Sequence, residues 1–334
     1  MSLKESSAVA TQGVAQAVAG ESGVAAPALF IVLNAASGRT GADERVEILR
    51  RVFAEAGRRF EFFPVAAPRL LAQTAARAAA QALSNRGVLV AVGGDGTLNA
   101  VAQAALDAGC LFGALPQGTF NYFGRAHGIS QDLETAARAL LRAREATVQT
   151  GTVNGKVFLV NASLGLYRRL LEDREAYKNQ LGRRRWVAAL SALASLLRGH
   201  GRLNLSLEVD GELRTVHTPT LFVGNNAVQF QRLGMDVALA ALQRGELAAV
   251  TVRTTRASTL LGLALRGALG DLSEAENLDQ FPLRRMTVHL GGRRRVKVAT
   301  DGEIHRLRPP LQFEVSPQPL RMMLPLEADR VEVA

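Results

Sequence analysis

From Pro27 onward, apolar runs alternate with stretches whose apolar residues recur at helical spacing. Residues 28–34 (ALFIVLN) form a near-continuous apolar run, as a strand does when both of its faces are covered. After a polar loop at 35–41, residues 43–56 place Val46, Leu49, Val52 and Phe53 on one helical face, and Gly57 supplies the stop. The unit repeats as a strand at 60–65 with a helix at 69–83, then as a strand at 88–92 with a helix at 97–106; a further strand follows at 111–115. Such alternation predicts an α/β domain with a doubly wound parallel sheet. It puts ligand-binding loops at the carboxyl ends of the strands, here 93–97 and 116–121.

After a helix at 133–144 the period becomes alternating. Asn154-Gly155, Asp210-Gly211 and Asp301-Gly302 each sit between two alternating stretches (147–153 and 156–163, 203–209 and 213–223, 295–299 and 303–307), and all three dipeptides suit type I′ hairpin turns. The second half is therefore predicted as a mainly antiparallel β-sandwich, with helices near 183–198 and 259–269. The expected organisation is a disordered tail at 1–26, a nucleotide-binding α/β domain at 27–145, a β-rich domain at 146–310 and a C-terminal segment at 311–334.

Composition narrows the chemistry. Lys and Arg number 40 against 30 Asp and Glu, a formal charge of +10 that favours anionic partners. Aromatics are 5% and no basic stripe is interleaved with them, which argues against nucleic acid. Cys110 is the single cysteine and the five histidines are scattered, so no disulfide framework or zinc spacing exists, and a reducing, cytoplasmic setting fits. No apolar run approaches the ~20 residues of a membrane span. Membrane contact is thus expected to be peripheral. Arg183, Arg184 and Arg185 open a stretch with Trp186, Leu190, Leu193 and Leu197 on one face, which reads either as a helix covering the sheet or as an edge meeting anionic lipid.

The sharpest local signal is 88–101, VLVAVGGDGTLNAV, a buried strand ending in Gly93-Gly94-Asp95-Gly96 before a helix at Thr97. Glycines admit a phosphate close to the backbone, and the helix start supplies free N–H groups. A carboxylate there would repel a phosphate, so Asp95 makes sense if a divalent cation or a nucleotide hydroxyl lies between them. Neither G-x-G-x-x-G nor G-K-[ST] is present.

GGDGTLN resembles the phosphate-binding motif of diacylglycerol kinases, sphingosine kinases and their bacterial lipid-kinase relatives; NAD kinases and phosphofructokinases carry a GGDG variant. Asn34-Ala-Ala-Ser37-Gly38 resembles the lipid kinases' N-P-x-S-G loop. Residues 116–125 resemble P-x-G-T-x-N-x-F-A-R, residues 161–165 loosely fit F-x-N-x-x-x-x-G, and Asp301-Gly302-Glu303 matches a late D-G-E. The resemblance implies an NAD kinase/phosphofructokinase-like first domain, with the last strands returning to it. It implies ATP and Mg²⁺ as cofactors, a lipid substrate, and peripheral contact with an anionic membrane at its inner face. Asn34, Ser37, Gly38, Gly93, Gly94, Asp95, Gly96, Thr97, Asn99, Thr119 and Asn121 would bind nucleotide, with Asp95 also a contact for the catalytic Mg²⁺. Glu303 would act as base, with Asp301 as its partner and as a further contact for the metal.

The chain departs from the pattern at Ala35 and Ala100, and at Arg244, which stands where relatives carry a carboxylate for a structural Mg²⁺; that metal site is expected to be absent. Two rivals remain open, an NAD kinase-like enzyme and a non-catalytic nucleotide or lipid sensor. The lipid's identity and the oligomeric state are not written in the sequence.

Overall fold

The structure, a computed structural model, describes residues 26–34, 41–165, 203–253 and 277–332. Residues 1–25 of the expected tail, Ser37, Gly38 and the two helices predicted at 183–198 and 259–269 lie outside the described residues.

The first domain builds β1 (Leu29–Asn34), α1 (Ala42–Glu55), β2 (Phe60–Val65), α2 (Leu71–Ser84), β3 (Val88–Gly93), α3 (Asp95–Ala108), β4 (Leu111–Pro116), α4 (Tyr122–Ala126), α5 (Leu133–Arg142) and β5 (Arg144–Val148). Strands β2, β1, β3 and β4 are parallel neighbours in that order. Ile31, Val32, Leu89 and Val90 are wholly buried, because α-helices cover both faces of the central strands. Each such side chain contributes about 1.5–3 kcal/mol on burial, which is why the apolar runs are continuous rather than alternating.

The second domain continues with β6 (Gly151–Val153), β7 (Lys156–Phe158), β8 (Asn161–Gly165), β9 (Leu203–Val209), β10 (Glu212–Thr218) and β11 (Thr220–Gly224). Then come α6 (Ala227–Gln231), α7 (Asp236–Gln243), β12 (Leu247–Val252), β13 (Leu278–Leu283), β14 (Arg285–Leu290), β15 (Val296–Thr300), β16 (Glu303–Leu307) and β17 (Leu311–Val315). Two six-stranded antiparallel sheets, β10-β9-β14-β17-β6-β7 and β13-β12-β11-β8-β15-β16, enclose one apolar core that includes Leu205, Leu207, Val223, Val298 and Phe313. All three predicted turns hold: Asn154, Asp210 and Asp301 have φ near +48°, each followed by a glycine of positive φ.

Three features differ from the sequence reading. Helix α3 begins at Asp95 instead of Thr97, since the amides of Thr97 and Leu98 both close onto the carbonyl of Gly94. Residues 144–148 are a strand of the first sheet, antiparallel to β18 (Leu320–Leu324), which itself lies parallel to β4. The crossing between domains therefore falls after Val148, and of the C-terminal segment β18 joins the first sheet while β17 stays in the sandwich. Finally, three stretches expected as single strands break where the chain passes from one sheet to another: 147–153 between Val148 and Gly151, 156–163 between Phe158 and Asn161, and 213–223 at Pro219.

Candidate active site

The two glycine loops touch backbone to backbone. A Cβ added to Gly118 would stand 2.6 Å from the Gly94 Cα, and Gln117 N donates to Gly93 O at 2.7 Å. At Gly93 an added Cβ would stand 2.7 Å from the Thr97 side chain, so the first turn of α3 folds directly over the end of β3. The amides that begin a helix have no acceptor within it. Those of Asp95 and Gly96 hold that place in α3, beside the loop at 117–121.

Asp95 spans the two loops. Its carboxylate accepts from the amides of Tyr122 (3.3 Å) and Phe123 (3.2 Å), at the start of α4. Burial pushes its pKa above the ordinary carboxylate range, and the amides of Phe123, Tyr122 and Asn121 oppose that shift. Asn121 has φ +51°, takes the Gly118 amide on Oδ1 at 2.6 Å and donates from Nδ2 to the Gly118 carbonyl at 3.1 Å. Its side chain is thus occupied in shaping the loop. Thr119 beside it is exposed. Asn34 donates from Nδ2 to Thr97 Oγ1 at 3.0 Å, and Arg45 Nη2 donates to the Asn34 carbonyl at 3.3 Å, linking the end of β1 to α3.

The second domain brings its Asp-Gly-Glu turn to the same place. A Cβ on Gly96 would lie 3.1 Å from Glu303 Oε1, so the exposed Glu303 carboxylate stands against the first turn of α3. Asp301 is held by four donors: Val160 N (2.9 Å) and Asn161 N (2.8 Å) on Oδ1, Leu159 N (2.6 Å) and Asn99 Nδ2 (2.8 Å) on Oδ2. Burial pushes Asp301 up to about 6, against the pull of those same donors. Asn99 Nδ2 also donates to Val157 O at 2.8 Å, so both of its amide protons are engaged between domains.

Two residues absent from the sequence reading complete the junction. Asn225 Nδ2 donates to the carbonyls of Gln149 and Leu159, and Asn226 Nδ2 donates to Tyr122 O at 3.0 Å. The signal for them was a polar doublet directly after the apolar strand β11. Arg244 pairs with Glu246, two residues on, at 2.9 Å.

This fold, a parallel-sheet domain joined to a β-sandwich, is similar to that of a solved putative diacylglycerol kinase from Bacillus anthracis. That structure superposes with a TM-score of 0.69 over 90% of this chain and 98% of its own, at 19% identity. Residues 28–153 match the model of the diacylglycerol kinase catalytic domain. It is 26% identical over 240 residues to the diacylglycerol kinase of Bacillus subtilis, covering 68% of this chain and 75% of that one. It is 37% identical over 98 residues to a probable YegS-like lipid kinase of Klebsiella pneumoniae, covering 28% and 33%. Among the first curated relatives the matched stretch spans from 33% to 55% of the relative's own length.

Proposed function

We propose that this chain transfers the γ-phosphate of ATP to a hydroxyl of a diacylglycerol-type lipid. The observation that carries the reading is the approach of Glu303 Oε1 to Gly96, which sets a free carboxylate opposite helix amides suited to a polyphosphate. The nucleotide phosphates would lie on the α3 amides and the glycines at 93, 94, 96 and 118, with Thr119 as a hydroxyl donor. Glu303 would take the proton of the lipid hydroxyl as its oxygen bonds to the γ-phosphorus, the bond to the β-phosphate oxygen breaks, and ADP departs.

Asp301, with every carboxylate lone pair engaged, fits a positioning role: it holds the turn so that Glu303 faces α3. Asn99 and Asn121 fit the same role for the junction and the second loop, while Asn34 fits through its hold on Thr97. Mg²⁺ suits this donor set, since it is commonly held by one or two carboxylates together with substrate phosphates. Asp95 is the carboxylate that would hold it, since Asp301 has no lone pair to offer and Glu303 is left as the base. The ion would neutralise charge on the phosphates. No described helix is long and apolar enough to cross a membrane. The reading places the protein in the cytoplasm, at the inner face of an anionic membrane.

The test is transfer of labelled phosphate from ATP to diacylglycerol and to NAD, assayed side by side. Labelled lipid supports the reading; label in NAD alone overturns it.

A further inference from the structure

The inward face of the β15–β16 hairpin carries a histidine that the phosphoryl-transfer reading does not use. His305 directly opposes Val298 in the ladder and Glu303 opposes Thr300, so all four side chains lie on one face. Val298 and Thr300 are wholly buried, and Leu307, two residues on from His305, packs against the sandwich core, so this face is turned towards the other sheet. His305 is half-buried there and reaches back along the ladder, its Nε2 lying 2.9 Å from Thr300 Oγ1. That bond draws the imidazole towards Glu303, two residues away along β16, roughly 7 Å at the rise of a strand.

Lys156 meets it from the other sheet. β7 is the last strand of one sheet of the sandwich and β16 the last strand of the other. Lys156 opposes Val153, a core residue, so its side chain also leaves the strand on the inward side. Val157, next in the chain, gives its carbonyl to Asn99, which also holds Asp301, so this end of β7 is fixed beside the acidic turn. Burial lowers the pKa of His305 below the ordinary histidine value and the charge of Lys156 lowers it further, so the ring is neutral at physiological pH.

The bond between His305 and Thr300 has a plain structural use, as a clip that closes the hairpin. It leaves the second ring nitrogen without a partner among the described residues, and Lys156 makes no ion pair or hydrogen bond among them either. A half-buried ring nitrogen left unpaired is destabilising, and a ligand group would offset that. With the Thr300 hydroxyl donating to Nε2, Nδ1 keeps its proton. Nδ1–H and the Lys156 ammonium are then two donors close to one open carboxylate.

We propose that His305, together with Lys156, is the specificity contact of the acceptor site: the two donors bind an ester or phosphodiester oxygen neighbouring the hydroxyl whose proton Glu303 takes. The inference rests on the lipid-kinase reading and narrows its substrate class to glycerolipids. A long-chain amino alcohol sets an ammonium where a glycerolipid has its acceptor oxygen, facing the Lys156 charge and a donor with no lone pair to give. A site built to hydrogen-bond one group rejects the analogue that lacks it.

The test gives the full chain three acceptors in neutral detergent micelles: short-chain diacylglycerol, short-chain phosphatidylglycerol and the amino alcohol sphinganine. Lipid binding is read by calorimetry and transfer of labelled phosphate from ATP by initial rates. The variants are His305→Gln, His305→Asn and Lys156→Met. Glutamine sets its amide near the place of Nε2 and keeps the clip to Thr300; asparagine sets it near Nδ1 and keeps the donor to substrate. The wild type is expected to take a glycerolipid and reject sphinganine. His305→Gln should raise the glycerolipid KM roughly three- to tenfold with the KM for ATP unchanged, and His305→Asn should recover most of that loss. Lys156→Met should weaken glycerolipid binding about tenfold or more and tighten that of sphinganine. A larger loss on phosphatidylglycerol assigns the phosphodiester oxygen, and a larger loss on diacylglycerol the ester carbonyl. Recovery by glutamine instead of asparagine reduces His305 to a clip and overturns the proposal, as does wild-type binding of sphinganine equal to that of a glycerolipid. Normal turnover with an unchanged lipid KM in both His305→Gln and Lys156→Met overturns the contact and leaves the kinase reading standing. A wild type that binds glycerolipid through these two residues yet transfers no phosphate to it upholds the contact and refutes the kinase reading. Neither binding nor transfer overturns both.

Discussion

Asn99 donates to the Asp301 carboxylate at 2.8 Å across 202 residues of chain, fastening the helix behind the first glycine loop to the acidic turn of the sandwich. The same amide reaches Val157 O, so a single side chain holds three segments in register. Replacing Asn99 by Ala should cost about 1–3 kcal/mol in urea unfolding, through the buried carbonyl and carboxylate left short of a donor. Because both amide protons point into the junction, kcat should fall severalfold while ATP affinity stays near the wild type. A loss confined to ATP binding would instead place Asn99 on the nucleotide.

Glu303→Gln keeps the shape of the side chain and removes the proton acceptor. The expected outcome is a drop in kcat of about 10²–10⁴, the range for loss of a positioned general base. ATP affinity and thermal midpoint should barely change, because Glu303 is exposed. Full activity in this variant would rule out Glu303 as the base.

Gly118→Ala adds a methyl group 2.6 Å from the Gly94 Cα and 2.8 Å from Asn121 Oδ1. Both neighbours are fixed by backbone bonds, so the loops must part, and ATP affinity is expected to fall at least tenfold by calorimetry. Gly291→Ala, with nothing within 4 Å of the new methyl, is the matched control and should bind ATP normally.

Acid should silence turnover near pH 6. Protonated Asp301 can no longer accept from all four donors, so the turn that carries Glu303 loosens and kcat/KM should rise with pH through about 6. Stability follows the opposite sign. A carboxylate whose folded pKa lies above its ordinary value holds its proton more tightly when folded, so its contribution to stability falls between the ordinary range and about pH 6, and is level above that. A pH–rate profile without an acid limb near 6, or one that Asp301→Asn leaves in place, would detach this limb from Asp301.

His127 supplies an independent pH response. Burial, aided by the charge of Arg330, lowers its pKa from the ordinary histidine value to about 4, and its ring meets Phe123 edge-on at 4.7 Å. Folding keeps this ring neutral while the unfolded chain protonates it, so its contribution is complete above pH 6.5 and is lost as pH falls towards 4. Chemical unfolding at pH 7 and pH 5 should show a larger difference for the wild type than for His127→Gln. Equal pH sensitivity in the two proteins would refute this assignment.

Much of the architecture was legible in the chain because its signals are local. Fully apolar runs mark strands covered on both faces, the change from helical to alternating period marks the passage to the sandwich, and Asn-Gly or Asp-Gly marks each hairpin. The glycines at 93, 94 and 96 and the acids at 301 and 303 could be assigned to one expected site through resemblance to lipid kinases. What escaped were the places where distant segments set the local choice. Residues 144–146 carry no strand pattern of their own, and β18 recruits them, with Thr147 and Val148, as an edge. Pro219 ends a strand whose apolar alternation runs straight through it.

The sequence alone determined which segments form strands and helices and which loops can admit a phosphate, since spacing and side-chain volume act between near neighbours. Only the tertiary structure decided the work of the polar side chains. Asp301, Asn99 and Asn121 read equally well as ligand contacts or as braces, because an amide or carboxylate bonds whatever partner folding brings within about 3 Å. In this protein those partners are chiefly backbone amides and carbonyls, several of them from the other domain, which leaves Glu303 as the carboxylate of the turn still open to a substrate.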